Sequence, residues 1–111
     1  MNYTYSVEQD ALYIYLKGDL IGENQGPDLM ELVNDRINEG VINCAVDISE
    51  VRFINSSGIG VLITILTKFR NKDGEVVLIK PSEQVKKLLI ITKLNSIFQI
   101  VDSKEEALKN F

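Results

Sequence analysis

The chain has 111 residues, of which 45% are apolar and 25% charged, and its net charge is −4. This length allows one core, so we expect a single domain over residues 1–111. The lack of His excludes His-based acid–base catalysis, and a single Cys excludes an internal disulfide and a Cys-based zinc site. The chain has no basic run, no stretch suited to direct membrane insertion and no N-terminal signal segment, which predicts a cytoplasmic protein that does not bind nucleic acid.

The first third of the chain predicts a hairpin followed by a helix. Residues 3–7 alternate as in a strand, residues 8–10 form a turn, and residues 11–16 form a second strand, so the two strands pair antiparallel. Residues 18–24 are predicted to be a loop. A helix then runs over residues 27–38, because Pro fits its first turn and Gly40 ends it.

The rest of the chain alternates strands with helices. The predicted elements are a central strand at 42–48, a helix at 59–70, a strand at 75–79, a helix capped by Ser82, a strand at 97–101 and a helix from 104 to the end. This order predicts an α/β fold with a mixed, mostly parallel five-stranded sheet, an opening antiparallel hairpin and about four helices.

Residues 47–62 form the most informative stretch, because an apolar strand, a polar turn and an apolar helix follow one another there. The turn places Ser56 and Ser57 directly before Gly58 at the predicted helix start. A helix start carries unpaired N–H groups and a partial positive charge, so a Ser there is usually a cap. The same position favours a phosphate.

Six residues stand at the spacing of a known signature: Asp47, Ser49, Ser56, Ser57, Gly58 and Gly60. They resemble the STAS-domain family, the bacterial anti-sigma factor antagonists, and the resemblance extends over nearly the whole chain. It implies reversible phosphorylation of Ser57, with Ser56 as the second candidate. It also implies a partner that is both an anti-sigma factor and a serine kinase, a serine phosphatase that resets the switch, and no enzymatic activity, cofactor or metal in the domain itself.

The resemblance and the helix periodicity together define an expected contact surface around Ser57. Gly58 is expected to let a partner backbone approach closely. Two positions depart from the family, since Asn55 and Ile21 stand where the family often has carboxylates. The expected partner-binding residues are Asp19, Asn24, Asn55, Ser56, Ser57, Gly58, Ile59, Gly60 and Thr64.

Three alternatives remain open. One is a STAS subunit of a membrane transport complex without phosphorylation, which the intact Ser-Ser-Gly turn disfavours. Another is a receiver-like switch that accepts phosphate on Asp47, with Lys80 and Pro81 as its Lys-Pro pair; the opening hairpin and the lack of clustered carboxylates argue against it. A small enzyme such as a nucleotide hydrolase is the third, and the missing catalytic constellation disfavours it.

Overall fold

One five-stranded sheet organises the computed structural model, which describes residues 2–21 and 26–111. Strand β1 is antiparallel to β2, the other pairs are parallel, and the strands lie side by side in chain order. The predicted α/β class and its mixed sheet are therefore confirmed. The elements are β1 (Asn2–Glu8), β2 (Ala11–Leu20), α1 (Gly26–Asn38), β3 (Asn43–Ile54), α2 (Ser56–Arg70), β4 (Val76–Ile79), α3 (Glu83–Ile91), β5 (Gln99–Val101) and α4 (Lys104–Lys109), with one 3-10 turn at Leu94–Ser96.

The opening hairpin has a two-residue turn made by Gln9 and Asp10. Both have positive φ angles, 52° and 63°, and Glu8 pairs directly with Ala11. Two consecutive left-handed residues match the right-handed twist of the strands on either side. The predicted hairpin is confirmed.

The two faces of the sheet are covered unequally. The crossover helices α1, α2 and α3 all contribute to the large core on one face of the sheet. Right-handed crossovers place their helices on the same face when each new parallel strand is added at the same edge of the sheet. The six-residue helix α4 packs through Ala107 and Leu108 on the opposite face. The larger core includes Leu12, Ile14, Leu29, Val33, Cys44, Val46, Ile48, Leu62, Ile65, Phe69, Leu78, Val85 and Leu89.

The second and third strands are longer than the sequence predicts. Strand β2 continues to Leu20 and β3 to Ile54, and these two residues are paired. The predicted loop is therefore wrong at residues 18–20, while residues 22–24 of that loop lie outside the described residues, and the predicted strand end at residue 48 is wrong. Polar residues and register shifts interrupt the alternation in this region, so the extension has no clear periodic signal. The expected contact residue Asn24 lies outside the described residues.

Two further elements begin two or more residues away from their predicted starts. Helix α2 begins at Ser56 rather than at residue 59, and β5 begins at Gln99 rather than at 97 because the 3-10 turn and the bend after it occupy the preceding residues. The predicted cap Ser82 is confirmed, since its side chain accepts a hydrogen bond from the Val85 amide. In the part of the chain that the structure describes, no helix is long and apolar enough to cross a membrane.

Candidate functional site at the start of helix α2

Asn55, not a serine, caps helix α2. Its backbone is extended, and its Oδ1 accepts a hydrogen bond from the Gly58 amide at 2.8 Å. The Asn55 carbonyl accepts from the Ile59 amide at 2.9 Å, which closes the first helical turn. The interpretation of Ser56 or Ser57 as the cap is therefore wrong. Both serines lie inside the first turn, so their hydroxyls do not cap the helix.

The hydroxyls of Ser56 and Ser57 are available at an electropositive helix end. Both residues are exposed, and among residues 2–21 and 26–111 neither hydroxyl has a hydrogen-bond partner. The first turn contains no acidic residue, so no carboxylate of the turn itself offsets the partial positive charge there. The first amides of the helix face the same end. A phosphate on Ser57 would meet favourable electrostatics at this position.

Gly58 brings the end of β2 against the start of α2. A Cβ at position 58 would lie 2.1 Å from the Leu20 carbonyl oxygen and 3.0 Å from Cγ2 of Ile54. The Asn55 amide also donates to the Leu20 carbonyl at 3.3 Å. Within the domain, the close approach that Gly58 permits is to Leu20; the approach of a partner backbone to Gly58 stays a prediction. The contact fixes the helix start beside the strand that carries Asp19.

An exposed ion pair lies next to this junction. Asp19 pairs with Phe53 in the β2–β3 register, and its carboxylate lies 3.5 Å from the guanidinium of Arg52. Solvent screens the pair, because 77% of the Arg52 side chain and 46% of the Asp19 side chain are exposed. Arg52 belongs to no motif of the sequence. Only the paired strand ends bring it to Asp19, and no local pattern signals that pairing.

The expected residues farther along α2 form an exposed strip with Ser57. Gly60 and Thr64 are exposed, and the Thr64 hydroxyl donates to the Gly60 carbonyl at 2.8 Å. A Cβ at position 60 would meet no atom of the described chain within 4 Å. Ile59 is half-buried and packs against the large core. The strip therefore consists of Ser56, Ser57, Gly60 and Thr64.

Asp47 is occupied by local hydrogen bonds. Its Oδ1 accepts from the Ser49 amide at 2.9 Å and from the Ser49 hydroxyl at 2.7 Å. Within the described ranges, no group of three acidic, His or Cys side chains is arranged to hold a metal ion. Lys80 follows β4 in a left-handed conformation with φ of 49°, and its amide donates to Val101 at 2.8 Å. The Asp47 contacts are those of a structural Asp that bonds the residue two positions along its own strand.

Cys44 is not a nucleophile. It lies fully buried in the large core, and burial raises the pKa of its thiol far above the ordinary value. A thiol that stays protonated is a poor nucleophile. The strand-like run at residues 41–46 carries no Lys or Arg, which indicates a buried, inert thiol, and the structure agrees.

Comparison with known proteins gives the same family from sequence and from structure. Residues 2–107 match the model of the STAS domain family. An anti-sigma-B factor antagonist of Listeria monocytogenes is 27% identical over 100 residues, which span 89% of this chain and 86% of the relative. A crystal structure from Thermotoga maritima superimposes with a TM-score of 0.87 at 26% identity, covering 97% of this chain and 92% of the other. The phosphorylated form of the Bacillus cell-fate determinant SpoIIAA shares the fold, with a TM-score of 0.78 at 19% identity and 98% of each chain covered.

Proposed function

This chain belongs to the STAS domain family, and we propose that it is an anti-sigma factor antagonist switched by phosphorylation of Ser57. The observation that carries the proposal is the cap: Asn55 holds the helix start, and the Ser57 hydroxyl is exposed with no hydrogen-bond partner among residues 2–21 and 26–111. The Listeria relative supports the partner class, since its name is anti-sigma-B factor antagonist. The kinase, the phosphatase and a cytoplasmic location are parts of this proposal.

The switch works through charge at the contact surface. The unmodified domain binds an anti-sigma factor that is also a serine kinase, and the neutral Ser57 hydroxyl lies in the contact. Phosphorylation adds about −1.5 to −2 charges and three strong acceptors at this point. The electropositive start of α2 accommodates the phosphate without refolding the domain, while a partner shaped for a hydroxyl is repelled. A serine phosphatase restores the binding form.

The contact surface consists of the exposed strip on α2 and the strand end beside it. Ser56, Ser57, Gly60 and Thr64 supply small side chains that allow close packing of a partner. Asp19 supplies a carboxylate next to them, and Asn55 holds the helix start without adding a negative charge beside the phosphate. The domain needs no catalytic group, because the partner performs the phosphoryl transfer.

Intact-mass measurement after incubation with ATP and an extract of the source organism tests the modification. We expect one acid-stable phosphate on wild type, with peptide mapping to Ser57, none on Ser57→Ala, and most of it retained on Ser56→Ala. Full incorporation into Ser57→Ala contradicts the site. An acid-labile phosphate on Asp47 supports the receiver-like alternative, and no phosphate on wild type supports the transport subunit.

Hydrogen exchange with the purified anti-sigma factor of the same organism tests the surface. We expect slower exchange at residues 18–21 and 56–64 in the complex, because these amides lie at the proposed contact. Helix α4 serves as the internal control, since it packs on the opposite face of the sheet. Protection centred on α4, with none near Ser57, contradicts the proposed surface.

A further inference from the structure

A shallow apolar groove opens where β3 ends beside α3. Its volume is about 300 Å³. Ile54 and Val85 are 3% and 2% exposed and form its floor, while Phe53, 54% exposed, lies along one side. The residues that line it are Arg52, Phe53, Ile54, Gln84, Val85 and Leu88.

The two walls of this groove are held together. The Ser82 hydroxyl donates to the Val51 carbonyl of β3 at 3.4 Å and accepts from the Val85 amide of α3 at 3.3 Å. The cap of α3 is thereby attached to the strand that forms the opposite wall. Binding in the groove requires little ordering of side chains in this domain, because the space already exists in the free domain.

The groove is continuous with the start of α2. Cγ2 of Ile54 lies 3.0 Å from the point where a Cβ of residue 58 would stand, so its side chain forms part of the groove floor and also lies against the first turn of α2. Phe53 stands two residues before the cap Asn55 and pairs in register with Asp19. A partner that covers Ser57 and Asp19 therefore lies at the mouth of the groove.

We propose that the groove receives an apolar side chain of the anti-sigma factor that contacts Ser57, with a carboxylate of the same partner beside it. The carboxylate is inferred from Arg52 on the groove wall: its guanidinium carries five N–H donors, its side chain is 77% exposed, and its 3.5 Å contact with Asp19 leaves donors for a second carboxylate. This inference rests on the proposed function. It adds an anchor next to the phosphorylation site, and desolvated aromatic anchors with adjacent Arg side chains dominate many interfaces.

The affinity of the purified anti-sigma factor for Phe53→Ser, measured by titration calorimetry, tests the anchor. We expect the dissociation constant to rise about tenfold or more, because the change removes the exposed ring that a bound side chain would cover. The matched control is Ile42→Ser, which replaces another exposed apolar residue, 44% exposed, directly before the first residue of β3 and so at the other end of that strand. The control should bind as wild type does, and urea unfolding establishes that both variants are folded.

The outcomes separate this inference from the proposed function. If wild type binds, Ser57→Asp does not, and Phe53→Ser binds as tightly as wild type, the groove inference is wrong and the switch stands. If wild type does not bind the anti-sigma factor at all, the proposed function fails first and the groove inference fails with it. Sedimentation of the domain alone tests a second copy as the occupant: a dimer that Phe53→Ser dissociates and Ile42→Ser does not overturns the inference.

Arg52→Gln tests the charged part of the contact. We expect the dissociation constant to rise about threefold at low salt, and the difference from wild type to shrink at high salt, where exposed charges are screened. Equal affinity of Arg52→Gln and wild type at low salt rules out the partner carboxylate.

Discussion

The backbone of Gly58 lies so close to the Leu20 carbonyl that a Cβ at position 58 would stand 2.1 Å from its oxygen. Real carbon and oxygen atoms do not approach so closely without a bond. The start of α2 and the end of β2 therefore keep their relative position only while residue 58 has no side chain. This contact aligns Ser57 with the strand that carries Asp19. The residue that must have no side chain, Gly58, is therefore the direct neighbour of the proposed phosphorylation site, Ser57.

Gly58→Ala should destabilise the domain by about 2–4 kcal/mol, because the new methyl group must displace the backbone of Leu20. Urea denaturation measures the change. Gly60→Ala is the matched control: position 60 is helical, exposed and open, so Ala should stabilise the domain by about 0.5–1 kcal/mol. Equal effects of the two substitutions would show that the helix start does not sit against Leu20.

Asn55→Ala should cost about 1 kcal/mol, since it removes the acceptor of the Gly58 amide. Ser56→Ala and Ser57→Ala should change the free energy of unfolding by less than about 0.5 kcal/mol, because neither serine is the cap. Thermal and urea unfolding of the three variants provide the comparison. A larger loss for Ser57→Ala than for Asn55→Ala contradicts the observed cap.

Stability should fall in acid partly through Glu8. The hydrogen bond from Lys104, together with one from Ser6, holds the pKa of Glu8 below its ordinary value of 4.5. A carboxyl whose folded pKa is depressed contributes stability above its unfolded pKa and loses that contribution as pH falls through the folded value. The urea midpoint of wild type should therefore exceed that of Glu8→Gln at pH 7, and the gap should close below about pH 4.

Glu105→Gln is the control for this acid dependence. Glu105 is exposed on the same helix as Lys104 and is not in an ion pair among the described residues. Its substitution should leave the difference between pH 7 and pH 3 close to that of wild type. An unchanged acid dependence in Glu8→Gln would show that the Glu8–Lys104 contact does not contribute.

Cys44 should resist thiol reagents in the native domain. Burial raises the pKa of the thiol and blocks access, so labelling should proceed only through opening of the core. A chromogenic disulfide reagent should react slowly in buffer and within the mixing time in strong denaturant. Rapid labelling in buffer would mean that the central strand is open in solution.

Sequence patterns predict the elements whose signals are local. The strand alternation of the hairpin and the serine before α3 are examples, because neighbouring residues alone decide them. The cap of α2 is harder to predict, since Asn55, Ser56 and Ser57 are all good caps and the helix start depends on how far β3 extends. The pairing of Leu20 with Ile54 decides that extent, and it joins residues more than thirty positions apart.

The groove shows a second limit of sequence reasoning. Phe53 and Leu88 belong to different elements, and each has an ordinary local pattern on its own. Their proximity depends on how α3 packs against β3, which the Ser82 contact with Val51 helps to set. A single exposed aromatic residue in the sequence carries no information about such a neighbour, so neither the groove nor Arg52 could be predicted.

The agreement between sheet order and chain order has a consequence for synthesis. Each of the strands β2 to β5 pairs with the strand made immediately before it, so its partner has already left the ribosome when it emerges. None of the described strands has to insert between two others, because each new strand is added at the free edge of the strand made before it. The strands that arrive last, β4 and β5, have four and three residues. The nascent domain therefore completes its sheet by two short additions, β4 at the free edge of β3 and β5 at that of β4.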